Sequence, residues 1–185
     1  DVIQTQVVNT AGLLTQTITF NPLSNSTYGD GPLTLTATAS SGLPVSYTSS
    51  NTSIATISGN QLTILTPGTI TITASQAGNG SYYAAANVPQ SLTIDLKNLT
   101  VSGAVAQTKS YDGTTTATID VSGASLVGIV GLDNVSIVNG GGNFASANAG
   151  TGINVISNLT LGGTEASRYT ISQPSLSADI TPASQ

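Results

Sequence analysis

The sequence predicts an all-β protein built as two β-sandwich domains in tandem, and three observations carry that prediction. Apolar residues alternate with threonine and serine over short runs, the mark of half-buried antiparallel strands. Glycine, proline, asparagine and serine punctuate those runs about every eight positions, each favouring turns for its own backbone reason. Charged residues make up only 6 % of the chain, against roughly 25 % in an average soluble domain. The surface must therefore be covered by threonine, serine, asparagine, glutamine and glycine.

The alternation is clearest over residues 41–75. Val45 and Tyr47 alternate with serine and threonine, as do Ile54 with Thr56, Leu62 with Ile64, and Ile70 with Ile72. Upstream, residues 16–20 (Gln-Thr-Ile-Thr-Phe) read as a short strand that Pro22 ends, since proline cannot donate to a ladder. A turn cluster over residues 25–32 follows. Leu33, Leu35, Ala37 and Ala39 then share one face, with threonines on the other. Residues 77–87 form a longer loop carrying the adjacent Tyr82 and Tyr83, and residues 88–94 give a closing strand. Roughly seven strands in about 80 residues is an immunoglobulin-like count. Within residues 1–15, Val2, Gln4 and Gln6 suit an edge strand.

Composition excludes several functions. The 185 residues contain no Cys, so neither a disulfide framework nor a thiolate metal site is open. Without His or Cys the commonest catalytic bases and nucleophilic triads are ruled out. A two-carboxylate glycosidase would need Glu165 beside an aspartate, but these residues are scattered over turns and no tryptophan is present to stack a sugar. The chain is not expected to be an enzyme. Three Lys and Arg against eight Asp and Glu, a net charge of −5, argue against nucleic acid and anionic membranes. No run approaches the length of a transmembrane helix.

Two sets of motifs carry a resemblance. Residues 47–58 (Tyr-Thr-Ser-Ser-Asn-Thr-Ser-Ile-Ala-Thr-Ile-Ser), followed by residues 68–74 (Gly-Thr-Ile-Thr-Ile-Thr-Ala), resemble the bacterial immunoglobulin-like domains of surface adhesins. Residues 16–20 and Thr27-Tyr28-Gly29-Asp30 add a likeness to the MBG (YGX-type) subtype. A second pattern begins near Leu99. Thr108-Lys109-Ser110-Tyr111-Asp112-Gly113-Thr114-Thr115, residues 130–137, residues 144–152 and residues 169–174 resemble a YDG domain. The resemblance implies a leader or the end of a preceding repeat over 1–15, an MBG-type immunoglobulin-like sandwich over 16–95, a YDG-type sandwich over 96–182, and a linker to a next repeat over 183–185. Both ends then read as cuts through an array.

The resemblance implies no catalytic residues and no cofactor. It implies a structural spacer in a large bacterial cell-surface adhesin, monomeric, extracellular and in contact with neighbouring repeats of its own chain. The alternative is a glycan- or protein-binding module using exposed loops over 77–87 or 139–152, with Tyr82 and Tyr83 as binding residues. Calcium, a hard cation that takes carboxylate and carbonyl oxygens, has its candidates in Asp95 and Asp112 near the domain joint. Lys109 could lie near Asp112 through its own turn, where a salt bridge or plain exposure is expected rather than an isopeptide cross-link. The tyrosines of Tyr28-Gly29-Asp30 and Tyr111-Asp112-Gly113 are expected to plug sandwich ends, with their hydroxyls on backbone acceptors.

Overall fold

The computed structural model describes residues 12–183. The edge strand expected at Val2, Gln4 and Gln6 lies outside the described residues. Among the described residues the structure is all-β, with a single 3-10 turn at Ala166–Arg168. It divides into two compact units, the first ending at Asp95 and the second beginning at Leu96. Thr27–Gly29 belong with the second unit.

In the first unit the strand Gly68–Ser75 lies between Val88–Asp95 and Ser46–Ser49, antiparallel to both. A separate sheet sets Gln61–Ile64 between Leu33–Thr34 and Ala55–Ser58, and Ile18–Thr19 pairs with Thr38–Ala39. The alternation explains the burial. Ile70, Ile72, Leu92 and Leu62 are buried, while Thr69, Thr71 and Thr63 face water. Leu35 is buried and the threonines of residues 33–39 are exposed, yet only the two ends of that run are paired. The strand read from Ile54 begins one residue later. The Asn51 carbonyl accepts the N–H groups of Ile54 and Ala55, so a turn occupies Ile54, and Ala55 becomes the first inward residue.

The second unit is built around a six-stranded sheet. Its order is Val105–Ala106, Thr116–Asp120, Gly141–Phe144, Gly150–Ser157, Ser175–Thr181 and Lys109–Ser110. The first and last members belong to one short segment, residues 105–110, which pairs antiparallel with Thr116–Asp120 and parallel with Ser175–Thr181. The sheet therefore curls back to meet itself. Phe144, Val155, Ile119 and Ile180 fill its inner side. Beside it, Lys97–Ser102 pairs antiparallel with Ser125–Val127 and parallel with Tyr169–Ser172.

Residues 139–152, expected as an exposed loop, contain strand instead. Gly141–Phe144 forms a hairpin with the far end of Gly150–Ser157, Gly142 standing opposite Ser157 and Phe144 opposite Val155. The glycines here serve close approach rather than freedom: a Cβ at Gly142 would stand 2.7 Å from the Ile156 carbonyl oxygen.

Candidate functional site

Each unit holds one tyrosine used as a corner. Tyr47 accepts the Ala37 N–H at 2.7 Å and packs edge-on against Phe20. Tyr169 accepts the Val130 N–H at 3.0 Å. These are not the tyrosines expected to take that role. Tyr28 is buried, but its hydroxyl meets a carboxylate rather than the backbone, and Tyr111 is 44 % exposed.

The densest polar cluster lies in the second unit. The 3-10 turn Ala166–Arg168 delivers Arg168 and Tyr169 to one place, and residues 130–133 bring Asp133 opposite them. The Asp133 carboxylate accepts hydrogen bonds from Tyr169 at 2.6 Å and Tyr28 at 2.9 Å, and pairs with Arg168 at 3.3 Å. Arg168 also donates to the Tyr28 hydroxyl at 2.9 Å and lies over its ring. The two tyrosine rings meet edge to face. Burial works against the charge on Asp133, but the hydroxyls of Tyr169 and Tyr28 together with Arg168 outweigh it and hold the carboxyl below its usual range. Burial and the facing Asp133 carboxylate push the Tyr169 hydroxyl up to about 12. Nearby, Glu165 accepts the Asn134 N–H at 2.9 Å and is bonded by Thr164.

The second cluster is the Tyr111-Asp112-Gly113 turn, where Gly113 takes a φ of 75° that suits glycine. Asp112 accepts the N–H and hydroxyl of Thr114, each at 2.9 Å. Lys109 closes the ring, donating to Asp112 at 2.8 Å and to the Thr114 carbonyl at 2.8 Å. Its ammonium stands 5.7 Å from the centroid of Phe144. The Lys109 ammonium and then the Thr114 N–H hold the Asp112 carboxyl down to about 2. Asp112 should accordingly stay ionised until the pH falls to about 2, and Lys109→Met should move its titration up toward the ordinary carboxylate value. A carboxylate chemical-shift titration by NMR reads both. Identical midpoints in the two proteins would show that Lys109 does not act on Asp112.

The other expected sites stand apart from these clusters. Asp95 is the exposed last residue of Val88–Asp95. Among the described residues no three acidic groups come together, so neither Asp95 nor Asp112 stands with two further acidic residues. Tyr82 is half-buried and Tyr83 is 54 % exposed. Their loop is firmly tied: the Asn79 carboxamide accepts the N–H groups of Ser81 and Tyr82, and Tyr83 N–H donates to the Leu14 carbonyl. The second unit has a groove of about 290 Å³ lined by Val121, Leu126, Ile129, Val135 and Ile137. That is at the lower end of small-molecule sites, and no convergent charged groups line it.

Sequence reasoning missed Asp133, Arg168, Tyr169 and the Tyr28 hydroxyl as one cluster. Its only available signal was scarcity, since Arg168 is the sole arginine of the chain. Every buried side-chain nitrogen and oxygen among the described residues has a hydrogen-bond partner. Among the described residues no helix is long and apolar enough to cross a membrane. No curated protein matches the chain. Residues 95–176 match the family model of the YDG domain, which takes in the Tyr111-Asp112-Gly113 turn and both polar clusters apart from Tyr28.

Proposed function

We propose that this chain, which carries a YDG domain over residues 95–176, supplies spacer modules to a large bacterial cell-surface adhesin. In this reading both units are immunoglobulin-like sandwiches, the first of MBG type. They act outside the cell as monomeric links that hold a distal binding domain away from the surface.

One observation carries the reading. In the second unit the first run of chain lies beside the last run and points the same way. Lys97 stands opposite Tyr169 and Ser110 opposite Thr181, both in parallel. In the first unit a parallel bridge joins Leu14 to Tyr82, in the loop that precedes the last strand Val88–Asp95. A parallel first and last run makes the chain enter a unit at one end and leave at the other. Units of that kind suit a linear array. The low charge also suits a spacer that does not cling to passing molecules.

The loop-binding alternative keeps one supporting feature, the exposed ring of Tyr83 on a well-held loop. A glycan and matrix-protein array probed with the intact chain separates the two. The spacer reading expects no saturable binding. Saturable binding that disappears in Tyr82→Ala and Tyr83→Ala would replace it with a binding module.

A further inference from the structure

We infer that the second unit is a mechanical clamp, in which the parallel contact between its first and last runs bears load applied at its ends. The contact has two patches. Lys97 to Thr100 stand opposite Tyr169 to Ser172, and Lys109 and Ser110 stand opposite Ile180 and Thr181, so the register is kept to within one residue from one patch to the next. A pull that draws Leu96 one way and Thr181 the other slides the two runs along each other. All bonds across the contact are then strained together, and none can break far ahead of the rest. Antiparallel neighbours pulled from facing residues instead unzip, losing their bonds in succession.

Side chains reinforce both patches along the direction of slip. Asn98 spans two residues of the facing run: its amide donates to Ser172 at 2.7 Å, and its carbonyl accepts from Thr170 at 3.1 Å. In the second patch the Thr181 hydroxyl donates to the Lys109 carbonyl at 3.3 Å, and Tyr111 N–H donates to the Thr181 carbonyl at 2.8 Å. Beneath them Leu99 and Ile180 are 0 % and 1 % exposed, which keeps water from replacing the bonds from the inner side. The spacer reading is needed only for the claim that such load reaches the unit in use.

The chain has no cysteine, so introduced thiols are unique handles for single-molecule pulling. The full chain is compared with handles at Leu96→Cys and Ala183→Cys, and with handles at Asn143→Cys and Ile156→Cys, which face each other in an antiparallel hairpin. The clamp expects end-to-end loading to require several times the force of hairpin loading. Forced unfolding reads the unfolding rate. Removing two neutral hydrogen bonds with Asn98→Ala should therefore shorten the lifetime under end-to-end load by roughly tenfold. The same substitution should leave hairpin loading unchanged. Thr181→Val, which keeps the side-chain shape, should act in the same direction through the second patch. Equal resistance in both geometries, or an Asn98→Ala effect of the same size in both, overturns the clamp. Either result leaves the spacer reading to the binding array, whose outcome does not depend on force.

Discussion

Asp133→Ala is expected to destabilise the second unit by about 3 kcal/mol, measured as the loss in unfolding free energy by denaturant titration. The carboxylate accepts from two tyrosine hydroxyls and pairs with Arg168, and its side chain is only 15 % exposed. Truncation leaves one partly buried cation and two hydroxyls without their acceptor, which costs more than the pair itself contributes. Asp133→Asn should lose less, because a neutral carbonyl still accepts from one tyrosine. The effect has a pH signature. The folded-state pKa of Asp133 is depressed, so its contribution is full above the unfolded value near 3.9 and is lost as the pH falls through the folded value. Wild type and Asp133→Ala should therefore converge in acid. A difference that stays constant from pH 7 to pH 2 would show that the carboxylate charge is not what holds the cluster.

Phe144→Ala should cost the same unit about 4 kcal/mol. Phe144 is 2 % exposed at the heart of the curled sheet, packed with Val155, Ile119 and Ile180. The substitution opens a cavity that a rigid strand framework cannot close, and it also removes the ring facing the Lys109 ammonium. Phe144→Leu should recover most of the loss, since much of the volume returns. Denaturant midpoints for the two variants give the comparison. Equal losses would assign the effect to the ring face under Lys109 rather than to packing.

The strands were legible because alternation is local information. Ile70, Ile72 and Leu92 are inward and the threonines between them outward, as a period of two requires. The nearness of Lys109 to Asp112 was legible for a similar reason, since three residues of a tight turn keep them close, although the sequence left open whether Lys109 would pair or stay exposed. What escaped was of two kinds. The Asp133 cluster gathers side chains from positions 28, 133, 168 and 169, and no spacing in the chain signals such a meeting. Residues 140–142 were misread because three glycines in a row resemble a flexible loop, although only the partner strand shows that they are packed. Ile54 was misplaced by one residue because the Asn51 turn competes with the strand for its N–H. Each of these depends on distant or competing contacts.

The segment 105–110, which joins the two ends of the six-stranded sheet, bears on how such units behave when crowded. An outer strand with unpaired N–H and C=O groups is a template for a strand from another molecule, and sheets in repeated proteins meet identical neighbours at high local concentration. Here one segment covers some of both rims of the same sheet. At Ile119 and Asp120 on one rim, and at Ile180 and Thr181 on the other, the backbone is already paired, so a foreign strand cannot extend the sheet at those positions.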